Sequence, residues 1–312
     1  MSTERIRLHS VTDLRFPLRF RFVLAVISIS LIGCHAGGPS DDAPNPTTAP
    51  ADLADRVRDY ASALHEDAPY RPPNDTQRQA FTESLTRLGA TPSAADDELR
   101  SLGLAVARGV DERTGRPYAI AATEPDAEQG WGLYLVDLGH SARLAVQVPH
   151  PANDLRTADI GLELFRRVPG AVLAVAGTHR RVAAGAGDVA HRADSMFHAL
   201  AERHSRDHLP QVQLHGFDDA SLDSADLVLS PGATARTPRI EEIADGLDRS
   251  LRVCRAWTRD CGELEGRHNR QGGAAAEHGA FFAHVEINRT TRDSPTGRDD
   301  VVRVLAEALD GG

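Results

Sequence analysis

The sequence predicts an α/β fold, a three-layer α/β/α sandwich around a mostly parallel or mixed sheet. Short apolar runs of strand length recur between Tyr118 and Leu227, and helical patterns fall between several of them. A hydrophobic fraction of 41% beside 26% charged residues supports a folded core.

Taken in chain order, residues 53–64 carry helical apolar spacing, and Pro69, Pro72 and Pro73 interrupt it before a second helical stretch at 75–88. Strands are expected at 118–122, 133–138, 144–149, 172–176, 212–214, 227–230 and 281–287. Helices are expected at 159–167, 193–206 and 239–257. Residues 262–273, polar and rich in glycine, read as a long loop. It could be a lid that offers Asn269 and Gln271 to a substrate, or an ordinary mobile loop. In folds of this class, sites gather beyond the carboxyl ends of the strands.

The chain begins with an address. Arg5, Arg7, Arg15, Arg19 and Arg21 against Glu4 and Asp13 give +3, and an apolar run of 12 residues follows from Phe22 to Gly33. Spanning a bilayer takes about 20 apolar residues, so the run suits the h-region of a secretory signal. Leu31-Ile32-Gly33-Cys34 resembles the lipobox of bacterial lipoproteins. That resemblance implies an exported protein held at the bacterial cell membrane by lipid on Cys34. Residues 35–52 carry Gly, Pro, Ser, Thr and Asp with almost no apolar side chains, and read as a flexible tether. Residues 53–312 are then one α/β domain with a helical N-terminal part.

All 35 cations are arginine, which excludes chemistry that needs a lysine amine. The net charge of −10, or −13 once the leader's +3 is subtracted, argues against a nucleic-acid partner. A monomer is expected. Three cysteines are present, and lipid on Cys34 would leave Cys254 and Cys261 with six residues between them. They could form a disulfide or act as two metal ligands, and export favours the disulfide.

Three segments carry candidate chemistry. Val148-Pro149-His150 follows a predicted strand, and Asp154, four residues on, can share a cation with His150. His215-Gly216 follows a second strand, with the glycine allowing close approach of ligand or backbone. In His284-Val285-Glu286-Ile287-Asn288, strand alternation sets His284, Glu286 and Asn288 on one face, and a glutamate in an apolar strand needs a partner or a function. Two histidines, a carboxylate and a separate glutamate base are the parts of a catalytic zinc site.

These three blocks resemble the zinc carboxypeptidase superfamily in its broad sense, which includes N-formylglutamate amidohydrolases and phage-type poly-γ-glutamate hydrolases. The resemblance spans roughly residues 115–310 and rests on those short blocks. It implies one zinc ion on His150, Asp154 and His215, with Glu286 as the base that moves the proton. The family spaces its first histidine and acid three apart rather than four, so Asp159 stands as the alternative carboxylate. It also implies an arginine gripping a substrate carboxylate, here Arg180 or Arg192, with Asn288 beside them. Asp188 and His191 could orient a ligand from behind or cap the helix that follows, and capping also suits Asp194.

No G-x-S-x-G elbow, HExxH helix or complete dinucleotide fingerprint occurs in the sequence. The expected function is a lipid-anchored, zinc-dependent hydrolase of an amide bond in a peptide-like, N-acyl amino acid or γ-glutamyl substrate. The alternatives are an inactive envelope-binding lipoprotein on the same fold, and a structural envelope protein in which His150 and His215 would lie far apart.

Overall fold

In the computed structural model, which describes residues 52–310, three helices precede the sheet: α1 (Leu53–Ala63), α2 (Asp75–Thr86) and α3 (Pro92–Ser101). Local chemistry starts each one. Asp52 caps α1, Asn74 and Gln77 form a capping box on α2, and Pro92 opens α3. Strands β1 (Ala105–Val110), β2 (Pro117–Ala122) and β3 (Leu133–Asp137) then run antiparallel to their neighbours. The rest alternates: β4 (Leu144–Val148), α4 (Thr157–Arg167), β5 (Ala171–Val175), the short turn α5 (Val182–Gly185), α6 (Met196–Arg206), β6 (Gln211–Phe217) and β7 (Leu227–Ser230). It closes with α7 (Pro238–Leu247), β8 (Val253–Arg255), α8 (Arg270–His278), β9 (Phe282–Asn288), α9 (Arg289–Asp293) and α10 (Pro295–Asp310).

The nine strands form one mixed sheet in the order β1-β2-β3-β5-β4-β6-β9-β7-β8. Its centre, β5-β4-β6-β9, is parallel. One face packs Val146, Val148, Val212, Leu214, Val285 and Ile287 against α1, α4, α7 and α10 in the larger core. On the other face α2, α3 and α6 cover the β2, β3 and β5 end. Where β4, β6 and β9 present that second face, alternation puts glutamines, histidines and Glu286 in place of aliphatic residues. The chain leaves β4 toward β5 on one side and β6 toward β7 on the other, so the seam between β4 and β6 is a topological switch point.

The α/β sandwich and the strands at the centre match the sequence-based expectation; β1, α3, α9 and α10 were not expected, and three expected elements differ in extent or kind. The helix expected over 239–257 stops at Leu247, where Asp248 accepts from the Val253 amide and pairs with Arg255, turning the chain into β8. The loop expected over 262–273 is a 3₁₀ turn (Gly262–Glu265) followed by the start of α8. Gly272 sits inside that helix because a Cβ there would stand 3.2 Å from the Phe282 ring. The strand expected at 212–214 extends over Gln211–Phe217, so His215 and Gly216 lie within β6.

Cys254 and Cys261 form a disulfide. Among the described residues no helix is long and apolar enough to cross a membrane. The signal segment, Cys34 and the tether up to residue 51 lie outside the described residues.

Candidate metal centre

Pro149 has no N–H for the ladder, so β4 ends at Val148 and the chain turns back on itself. The amides of Asn153 and Asp154 both donate to the His150 carbonyl, at 3.0 and 2.8 Å. The Asp154 carbonyl in turn accepts from the amide and hydroxyl of Thr157, which opens α4. This turn brings the Asp154 carboxylate beside Nδ1 of the His150 ring. His215 comes from the neighbouring strand, and its ring centroid lies 5.0 Å from that of His150. The arrangement that a structural envelope protein would lack is therefore present.

His150, Asp154 and His215 are all buried, and one ligand atom from each lies within 4.8 Å of the others. Asp154 Oδ2 stands 3.5 Å from His150 Nδ1 and 3.4 Å from His215 Nδ1. Those separations exceed a good hydrogen bond, but ligands about 2.0–2.2 Å from a tetrahedral dication stand about 3.3–3.6 Å apart. Both remote ring nitrogens are tied: His150 Nε2 to Asp188 Oδ1 at 2.8 Å, and His215 Nε2 to Gln213 Oε1 at 2.7 Å. A histidine that donates Nε2–H to an acceptor keeps an Nδ1 lone pair free, the usual support for a metal ligand. His150 Nδ1 is buried with no hydrogen-bond partner. The three side chains fit a divalent metal ion.

The charges of the cluster are coupled. Burial opposes charge on Asp154, but the two imidazoles beside it outweigh burial and hold its carboxyl well below the usual range. Asp188 is likewise held far down despite burial, by His150, His191 and Arg180. Burial pulls the His150 imidazole down, yet Asp154 and Asp188 together raise it above its ordinary value. For His215 burial wins and the imidazole is pushed down to about 4.

Glu286 stands opposite His215 in the β6–β9 register and is 9% exposed. Its Oε2 and both ring nitrogens of His284 are buried without hydrogen-bond partners among the described residues. His284 Nε2 lies 3.5 Å from Glu286 Oε1, and the His284 and His215 ring centroids are 4.6 Å apart. Glu286 is thus a carboxylate on the polar strand face, next to the His-Asp-His cluster, with one oxygen uncommitted.

The other residues singled out in the sequence divide. Asp188 gathers His150, His191 at 3.2 Å and Arg180 at 3.1 Å, so Arg180 reaches the cluster through it. Arg192 instead makes a two-point pair with Asp194, so Asp194 caps nothing; Ser195 caps α6. Asp159 pairs with Arg156 and Arg58 apart from the histidines, which leaves Asp154 as the carboxylate of the cluster. Asn288 is not free for a substrate: its Oδ1 caps α9 at the Thr291 amide and its Nδ2 reaches Asp226. Asn269 and Gln271 are buried within the fold, one as the cap of α8 and the other bound to Gln213 and the Val189 carbonyl.

Two residues escaped the sequence reading. Gln213 supports His215, and the alternation Gln-Val-Gln-Leu-His over 211–215 was its signal. Arg292, 3% exposed, donates to the carbonyls of Ile287, Leu155 and Phe217, tying the ends of β9 and β6 to the turn beyond Asp154. Gly216 is required by that guanidinium rather than by a ligand, since a Cβ would come within 2.4 Å of Arg292 Cζ.

No protein-family model matches the sequence. No curated protein matches it either. Among solved structures, the chain is similar to the succinylglutamate desuccinylase of Chromobacterium violaceum, with 10% identity, 69% of this chain and 76% of that one covered, and a TM-score of 0.40. It is also similar to the LapA aminopeptidase of Legionella pneumophila, with 12% identity, 83% and 69% covered, and a TM-score of 0.38. Likeness at this level leaves the chemistry to the site's own geometry.

Proposed function

We propose that the chain is a zinc-dependent amide hydrolase, with the metal held by His150, Asp154 and His215. The observation that carries this reading is Asp154 Oδ2 set 3.4–3.5 Å from two Nδ1 atoms whose rings are each held from behind. When bound, zinc supplies Lewis acidity for polarising a carbonyl and acidifying water. Glu286 Oε2, buried and unpartnered, takes the proton from the attacking water and returns it to the leaving amine. Asp188 keeps the His150 proton on Nε2. Arg180, half exposed and held by Asp188 at one nitrogen, has donors left for a substrate carboxylate.

The substrate class is a peptide-like, N-acyl amino acid or γ-glutamyl amide, with the enzyme outside the cell on a lipidated Cys34. The lipobox-like run, the tether composition and a disulfide in place of free thiols support that location. Metal content of the soluble part, from about residue 50 onward, tests the site. Wild type should carry stoichiometric zinc and a His150→Ala, His215→Ala variant none; equal content in both refutes it. Radiolabelled palmitate entering wild type and not Cys34→Ala tests the anchor.

A further inference from the structure

A line of buried amides runs beneath the site. Gln147 on β4 and Gln211 and Gln213 on β6 share the polar face of the sheet, all essentially inaccessible. An aliphatic face would avoid the cost of burying them, so the amides need another reason to be there.

Their polarity can be followed link by link from the Ser205 hydroxyl. The Ser205 hydroxyl donates to the Ala201 carbonyl at 2.8 Å, so its oxygen accepts from Gln211 Nε2 at 2.8 Å. Gln211 Oε1 then accepts from Gln147 Nε2 at 2.6 Å, and Gln147 Oε1 from Gln213 Nε2 at 2.8 Å. That leaves Gln213 Oε1 facing His215 Nε2 at 2.7 Å. An amide oxygen can only accept, so the imidazole proton sits on Nε2.

Two further routes reach the same orientation. Gln271 Nε2 donates to the Val189 carbonyl at 2.9 Å, which turns Gln271 Oε1 toward Gln213 Nε2 at 3.2 Å. Asn269 Oδ1 accepts the first amides of α8, those of Gln271 and Gly272, at 2.9 and 3.1 Å. Its Nδ2 must therefore donate to Gln213 Oε1. Backbone carbonyls and amides cannot exchange roles as a side-chain amide can by flipping.

We infer that Gln213 is a positioning residue whose amide, oriented from α6, α8 and the Val189 carbonyl at once, holds His215 as its Nε2–H tautomer. The Nδ1 lone pair is thereby kept toward Asp154. With the other tautomer a proton would stand between Nδ1 and Asp154 Oδ2, where the metal would bind. The tautomer does not depend on a metal. Its consequence for affinity rests on the proposed reading of His150, Asp154 and His215 as ligands.

The test is long-range proton–nitrogen correlation of the histidine rings in metal-free, nitrogen-15-labelled protein at mildly alkaline pH, with zinc affinity measured alongside. Wild-type His215 should show the Nε2–H pattern. Gln213→Met should give mixed tautomers and zinc binding about 10–100-fold weaker. Gln213→Glu, which keeps an acceptor, should hold the wild-type tautomer. An Nδ1–H tautomer in wild type, or an unchanged tautomer in Gln213→Met, overturns the inference. Should Gln213→Met not fold, the wild-type spectrum and the Gln213→Glu variant decide. A wild-type Nε2–H tautomer in a protein that binds no zinc supports the inference and removes the metal reading instead.

Discussion

Asp188→Asn keeps the size of the side chain and removes one acceptor. Asp188 now takes His150 Nε2 and His191 Nδ1 on Oδ1 and Arg180 Nη2 on Oδ2. Asparagine has a single oxygen for these donors. If that oxygen stays with His150, the new NH₂ faces the Arg180 guanidinium. If it turns to Arg180, the NH₂ faces His150 Nε2 and drives that ring's proton to Nδ1, against Asp154. Either way one charge-assisted bond is lost, about 1.5–3 kcal/mol, comparable to the roughly 10–100-fold that supporting carboxylates contribute to metal affinity. The expected result is a zinc Kd higher by about that factor in competition with a chromophoric chelator, with the melting temperature as a control for folding. A Kd within about threefold of wild type would refute the role given to Asp188, since RT ln 3 is only about 0.6 kcal/mol.

Further outcomes follow from other parts of the molecule. Glu286→Gln should retain zinc while lowering kcat by about 10²–10⁴, measured on an acyl-amino-acid panel; full activity would remove Glu286 as the base. Arg166 is buried on α4 against Asp111, Glu163 and Asp52. Arg166→Met should cost about 3–5 kcal/mol in urea unfolding by stranding the Asp111 carboxylate, and adding Asp111→Leu should recover most of that loss. His204 is buried and pushed down from 6.5 to about 4 by desolvation. Between those values the unfolded chain binds a proton that the native state refuses, so stability is full above pH 6.5 and falls as the pH drops toward 4. The loss attributable to His204 is about 3 kcal/mol at most, and His204→Leu should flatten the stability profile across that window by a comparable amount. Equal slopes in the two proteins would place the acid sensitivity elsewhere.

Strands were legible wherever apolar residues ran unbroken or alternated, because burial on one or both faces imposes that pattern. Thus β2 to β7 and β9 lie close to their expected places. The edge strands were not. Residues 105–110 and 253–255 carry arginine and glycine or merge with a helical pattern, since an edge strand needs little burial and is defined by its partner. The glycines of 270–273 gave α8 the look of a loop, although Gly272 serves helix packing against Phe282. At the site, His150, Asp154, His215 and Glu286 were visible as costly polar residues at or near strand ends, whereas Asn288 and Asn269 read as contacts and proved to be helix caps. A cap and a ligand contact use the same short amide, and only the position of the next helix separates them.

By itself the sequence determined the residue types available for chemistry: histidines and carboxylates in quantity, arginine as the only cation, and two cysteines free to pair after the lipobox-like segment. It also determined the alternation that fills the sheet core. Only the tertiary structure decided which groups meet. Placing β6 between β4 and β9 brought His215 beside His150 and Glu286, residues far apart in the chain. It set Asp154 rather than Asp159 beside the two histidines, paired Arg180 with Asp188 and Arg192 with Asp194, and turned Gln213 toward His215. The physical reason is that strand order is set by long-range packing and crossover connections, which periodicity does not encode, while the proton position on a buried imidazole depends on its partners in space.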